Sequence, residues 1–210
     1  MEKNILCFGD SNTWGYVPGG DGQRFSRDER WSGKLGKLLG DGYHVIEEGL
    51  NGRTTVHEDP VKGDKSGLKY IVPCLQSHKP LDLVIVMLGS NDCKERFGCD
   101  PYSIACGLTR VLDAIIFSRS GRRESSPKIM LIAPPWMLEG GDFPGIGEGA
   151  VEKSKALSEY FFQVAQDYGC IFIDGENIHS ASEIDGLHLD KEGHKAFAEK
   201  LAVEIRHIFE

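Results

Sequence analysis

Long apolar runs are missing from this 210-residue sequence, and so is any excess of positive charge. No stretch approaches the roughly 20 apolar residues that a helix needs to cross a bilayer. With 24 Lys and Arg against 32 Asp and Glu, the formal net charge is −8. That balance argues against nucleic acid and anionic membranes as partners, because both are bound through clustered cations. The one basic cluster, Arg119 with Arg122 and Arg123, sits in a Ser- and Gly-rich stretch and reads as a solvated loop. The six cysteines (Cys7, Cys74, Cys93, Cys99, Cys106, Cys170) form no Cys-x-x-Cys pair and show no zinc-type spacing. A chain of this length buries about 70% of its unfolded surface and needs no disulfide framework. Neither a metal nor another cofactor is expected. Internal repeats and linkers are absent as well, so residues 1–210 read as one domain. Met1-Glu2-Lys3-Asn4 leads directly into the first apolar run, which leaves no place for a secretory leader and sets the expectation of a cytoplasmic protein.

What is present is an alternation of β-rich runs with helical patterns. Candidate strands are Asn4–Phe8, Tyr43–Glu47, Leu81–Leu88, Lys128–Ala133 and Cys170–Ile173. Leu83-Val84-Ile85-Val86-Met87-Leu88 is continuously apolar, as in a strand covered on both faces. Helical patterns fall at Trp31–Leu39, Gly67–Ser77, Tyr102–Phe117, Ala150–Tyr168 and Lys191–Phe209. In the last, Phe197, Leu201, Ile205 and Ile208 recur at helical spacing behind Asp190, a suitable N-cap. Strand–helix alternation predicts a parallel, right-handed doubly wound sheet in an α/β/α sandwich. Ligands of such sheets bind beyond the carboxyl ends of the strands.

Polar or Gly-rich segments follow the first three strands: Gly9-Asp10-Ser11, Gly49–Arg53 and Gly89-Ser90-Asn91-Asp92. A serine where a strand turns into a helix is exposed at the sheet edge, and its backbone N–H lies at the positive end of a helix dipole. After the fifth strand comes Asp185-Gly186-Leu187-His188. An acid and an imidazole on one short loop can turn a hydroxyl into a nucleophile. Each segment alone reads equally well as a turn or cap. Together they fall on one sheet edge and propose serine hydrolase chemistry. The longest irregular stretch, Pro134–Gly149, carries Trp136, Met137, Leu138 and Phe143 among five glycines and three prolines, and reads as a pocket wall or lid.

The order Gly9-Asp10-Ser11, Gly52, Gly89-x-Asn91-Asp92, Asp185-x-x-His188 resembles the SGNH, or GDSL-type, hydrolase superfamily over essentially the whole chain. Ile5–Gly15, Val45–Thr55 and Leu81–Asp92 further resemble its arylesterase/acyltransferase (perhydrolase-like) branch. The resemblance implies a flavodoxin-like three-layer fold with a five-stranded parallel sheet, and a cofactor-independent esterase acting on short-chain or aryl esters. It implies Ser11 as nucleophile, His188 as general base and Asp185 as its orienting acid. The oxyanion hole would comprise the N–H groups of Ser11 and Gly52 and the side-chain amide of Asn91. Asn12 departs from the motif, which has Leu there.

Several rival readings stay open on the residues. Asp174 could serve as the acid, although the compact Asp-x-x-His favours Asp185. His194 falls in the last helix and reads as a packed residue, and His57 among its acidic neighbours reads as a solvated loop. Asp10 and Asp92 read as turn-orienting acids, and Asp10, Trp14, Tyr16 and Trp136 as residues near the substrate. An acetyl-sugar deacetylase would use the same triad. A metal-dependent phosphoesterase built on Asp10, Asp92 and His188, or an inactive binding module, belongs to another class. The expected partner is a small-molecule ester, with a second copy of the chain completing the channel.

Overall fold

The computed structural model describes residues 1–140 and 146–210. Five strands, β1 (Lys3–Gly9), β2 (Tyr43–Gly49), β3 (Leu83–Met87), β4 (Lys128–Ala133) and β5 (Ile171–Asp174), form one sheet in the order β2-β1-β3-β4-β5. Every pairing is parallel. Among the described residues six α-helices accompany them: α1 (Ser11–Trp14), α2 (Trp31–Leu39), α3 (Gly67–His78), α4 (Pro101–Phe117), α5 (Ala150–Tyr168) and α6 (Lys191–Phe209).

The central strand β3 is apolar throughout because both its faces are covered, and alternation along the strands sorts their buried residues between two cores. Ile5 and Cys7 of β1 join Leu83 and Ile85 of β3 against Trp31 and Leu35 of α2 and Phe197 and Leu201 of α6. Leu6 and Phe8 join Val84 and Val86 against Ile71 and Leu75 of α3, Leu108 of α4 and Phe161 of α5. Helix starts follow local chemistry. Asp100 accepts from Ser103 N at 2.7 Å ahead of Pro101, and Asp190 accepts from Gly193 N at 2.7 Å, so each carboxylate satisfies a donor that the helix leaves unpaired.

Some boundaries differ from the sequence reading. The third strand is shorter than Leu81–Leu88: Leu81 makes only an isolated bridge to Gly121, and Leu88 belongs to the turn that leads to Gly89. The fifth starts and ends one residue later than Cys170–Ile173. The middle of the loop Pro134–Gly149, including Phe143 and Pro144, lies outside the described residues. Among the described residues no helix is long and apolar enough to cross a membrane.

The chain leaves β1 toward β2 on one side and returns to β3 on the other. The crevice opens at that reversal, and the turns after β1, β2 and β3 meet there.

Candidate active site

Ser11 lies two residues beyond the end of β1, as the first residue of α1, with Asp10 as N-cap. Helix α1 has a single turn of four residues, so the helix dipole that the sequence suggested adds little here. The approach of β2 to this turn requires glycine: a Cβ on Gly49 would stand 2.2 Å from Trp14 N. Ser11 Oγ lies 2.9 Å from His188 Nε2, and His188 Nδ1 lies 2.7 Å from Asp185 Oδ2. The other Asp185 oxygen accepts from the N–H groups of Leu187 and His188. Burial pushes the Asp185 carboxyl up, but the hydrogen bonds and charge of His188 outweigh it and hold the group below its ordinary value. An ionised Asp185 can only accept. Nδ1 therefore carries the proton and donates to Asp185, which leaves the Nε2 lone pair facing the serine hydroxyl. The ring of Tyr16 stacks on this imidazole with centroids 4.3 Å apart.

Asn12 joins the two ends of the chain. Its Nδ2 donates to Leu187 O at 3.2 Å, and its Oδ1 accepts from Leu189 N at 2.8 Å. The side chain that departs from the motif thus clamps the loop that carries His188 against the turn that carries Ser11.

Gly52, which lines the same cavity as Ser11, holds φ +81, a left-handed backbone that L side chains rarely adopt. Asn91 follows β3. Its Nδ2 donates to Arg53 O at 3.0 Å and to Asp10 Oδ2 at 3.2 Å, while Oδ1 accepts from Lys94 Nζ at 2.6 Å. An ammonium only donates, so Lys94 fixes which end of the amide faces it. Both Nδ2 hydrogens have protein acceptors, and donation to an oxyanion would share one of them.

Ser11, His188, Gly52, Asn91 and Tyr16 line a cavity of about 150 Å³, together with Leu187, Asn51, Lys62 and Lys94. The last three were not anticipated from the sequence. Asn51 Oδ1 is buried with no hydrogen-bond partner among the described residues. A larger depression of about 560 Å³ beside β5 and α6 has no hydroxyl–imidazole pair.

The other expected residues stand elsewhere. Asp10 is 1% exposed and accepts from Asn12 N at 2.9 Å, so it braces the turn and does not line the cavity. Trp14 lies outside the wall under the Arg24 guanidinium, 4.8 Å from its ring, and Trp136 is held at its backbone by Glu176. Asp174 accepts from Ser158 Oγ at 2.6 Å and leaves His188 to Asp185. Asp92 is fully buried and accepts from the Thr55 N–H and hydroxyl, tying β3 to the turn after β2. Burial pushes its carboxyl up to about 7. His57 Nε2 lies 3.2 Å from Cys99 Sγ, and His194 is buried against Trp31 N.

Among the described residues, one group brings three metal-ligand types together: Glu48, Cys74 and His78, within 4.8 Å of one another. None of the three lines the Ser11 cavity. Glu48 accepts from Tyr70 Oη and lies 2.9 Å from His78 Nε2. Burial, with Glu48 beside it, pushes the Cys74 thiol up to about 12.

The GDSL-like lipase/acylhydrolase family model matches residues 7–196. Among solved structures, a carbohydrate acetylesterase from Sinorhizobium meliloti is 36% identical over 99% of this chain and 100% of its own, with a TM-score of 0.93. The M. smegmatis aryl esterase is 37% identical over 98% of this chain and 99% of its own, with a TM-score of 0.92. A lipolytic G-D-S-L family protein from Veillonella parvula shares the fold at 16% identity, with a TM-score of 0.68 over 97% of each chain. No curated protein matches by sequence. The family model spans the turn that carries Ser11 and the loop that carries Asp185 and His188, and this chain belongs to the GDSL-like lipase/acylhydrolase family.

Proposed function

We propose that the protein is a serine carboxylic-ester hydrolase that acts through an acyl-enzyme on Ser11. The observation that carries this reading is the hydrogen-bonded line from Ser11 Oγ through His188 to Asp185, at 2.9 and 2.7 Å. His188 Nε2 takes the hydroxyl proton as Oγ attacks the ester carbonyl, and Asp185 stabilises the imidazolium that forms. The imidazolium then protonates the leaving alkoxide. Water deprotonated by the same nitrogen releases the acid. The Ser11 and Gly52 N–H groups and the Asn91 amide receive the oxyanion, and loss of one such donor costs roughly 10²–10³ in turnover. The aryl esterase and carbohydrate acetylesterase likenesses support the ester class.

A second reading, deacetylation of acetylated sugars, uses the same residues and differs in the alcohol. The likeness to a carbohydrate acetylesterase supports it. The test is a panel of phenyl esters of increasing acyl length beside acetylated monosaccharides, run with the wild type and Ser11→Ala. Ester turnover that Ser11→Ala abolishes is expected. Full activity in that variant, or no hydrolysis across the panel, overturns the reading.

A further inference from the structure

The cavity beside Ser11 carries two cationic side chains and, among the described residues, no acidic one. In a chain of net charge −8, this is local charge of the opposite sign at the reacting centre. Lys94 is 3% exposed. Its ammonium donates to the neutral Asn91 amide at 2.6 Å, and no described carboxylate comes within ion-pair distance of it. Asp10, behind Asn91, and Asp59 act on the cation only from a distance. Buried charges are normally paired, since an unpaired one loses its hydration without compensation. Burial, with Arg96 and Lys62 beside it, draws Lys94 down to about 8, so the group still carries most of its charge at neutral pH.

Lys62 is the second cation of the wall, and the fold holds its backbone in place. The buried Asp59 carboxylate accepts from the N–H groups of Val61 and Lys62 at 2.9 and 3.2 Å and is itself tied to Arg96 at 2.8 Å. Lys62 is exposed, so water solvates its ammonium, and no described acidic group pairs with it. Two lysines without a carboxylate partner thus share one small cavity with the nucleophile.

Resting on the ester-hydrolase reading, we propose that Lys62 and Lys94 select esters that carry a carboxylate within a few bonds of the scissile carbonyl. An ester carbonyl becomes anionic only in transit, and Asn91 with two N–H groups already faces it. A second, permanent anion on the substrate would give buried Lys94 the partner that the protein withholds, with the exposed Lys62 ammonium at the rim to meet it. An ion pair at such a site gains from partial exclusion of water.

The experiment measures kcat/KM for matched neutral and anionic esters. On the acyl side, monomethyl succinate is compared with methyl pentanoate by pH-stat. On the alcohol side, 4-acetoxybenzoate is compared with phenyl acetate. Each ratio is divided by the ratio of uncatalysed alkaline hydrolysis rates. The expectation is an anionic-to-neutral ratio of about ten or more in at least one pair, falling as salt screens the charges. Lys62→Glu and Lys94→Met should each lower that ratio by about tenfold, the change expected when a charged partner is lost. Turnover of the neutral esters with both ratios at or below one overturns the inference and leaves the hydrolase reading standing. Equal losses on both members of a pair in the two variants also overturn it, since the lysines would then act only through Asn91 and the fold. No turnover of any ester overturns both.

Discussion

Asn12 occupies the position where the family motif has Leu, and its amide spans 177 positions of sequence to hold Leu189 N. Asn12→Leu leaves the Leu187 carbonyl and the Leu189 N–H buried without those partners. The variant is expected to lose about 1–3 kcal/mol of stability per unsatisfied group and to lower kcat, because the loop bearing His188 is no longer clamped. Denaturant unfolding and steady-state kinetics check it, and unchanged values in both would show the amide to be idle. The larger losses belong to the reacting pair. Ser11→Ala and His188→Ala should each lower kcat by on the order of 10⁴–10⁶, with the double variant hardly worse, as for residues that act as a unit. Multiplying losses would mean that His188 does not activate Ser11. Ser11, Asp185 and His188 were legible in the sequence because a strand-end serine and a compact Asp-x-x-His carry their chemistry locally. Lys94 and the Tyr16 stack on His188 were not: a lysine after a turn and an aromatic near a motif have many fates, and only the packing selects one.

At the scale of elements, helices α2 and α6 pack together through a residue that the sequence left as a rival base. His194 is fully buried, its Nδ1 accepting from Trp31 N at 3.2 Å where α2 begins. Burial pulls it from its ordinary 6.5 down to about 3. The unfolded chain takes up a proton near pH 6.5, and the folded chain refuses it until about pH 3. Stability from this group is therefore complete above pH 6.5 and is lost as pH falls toward 3, by up to about 1.4 kcal/mol per pH unit. His194→Asn keeps an acceptor for Trp31 N and removes the titration. Its unfolding free energy should fall less steeply than that of the wild type between about pH 6.5 and 5, above most carboxylate titrations. Parallel curves would locate the acid sensitivity elsewhere. The helices themselves were legible: α2, α5 and α6 run as their periodicity predicts. The single turn of α1 was too short to show a period, and the apolar run at β3 continues beyond the ladder because Leu81 and Leu88 are buried outside it.

The whole molecule brings Ser11, Gly52, Asn91 and His188 to one sheet edge because parallel strands put every carboxyl end on the same side. That much followed from the order of strands and helices. Which aromatics face the cavity did not, since Trp14 ends the single-turn α1 and Tyr16 and Trp136 sit on loops whose course depends on long-range packing. Tyr16 is the one of the three that lines the cavity. With its ring over His188 at 4.3 Å, it covers one face of the imidazole that, in the proposed mechanism, activates the second nucleophile. In so small a cavity, an alcohol packed against Tyr16 and Leu187 would gain apolar contact that water lacks, and would then compete for the acyl group beyond its share of the solvent. With phenyl acetate and a primary alcohol in water, the ratio of new ester to free acid should exceed the alcohol-to-water ratio corrected for intrinsic nucleophilicity. Tyr16→Ala should bring it down toward that value. If a second copy of the chain completes the channel, the ratio should also fall on dilution, in step with the mass measured by light scattering. A wild-type ratio equal to the corrected solvent ratio would leave Tyr16 without a part in choosing the acceptor, and the protein a hydrolase alone.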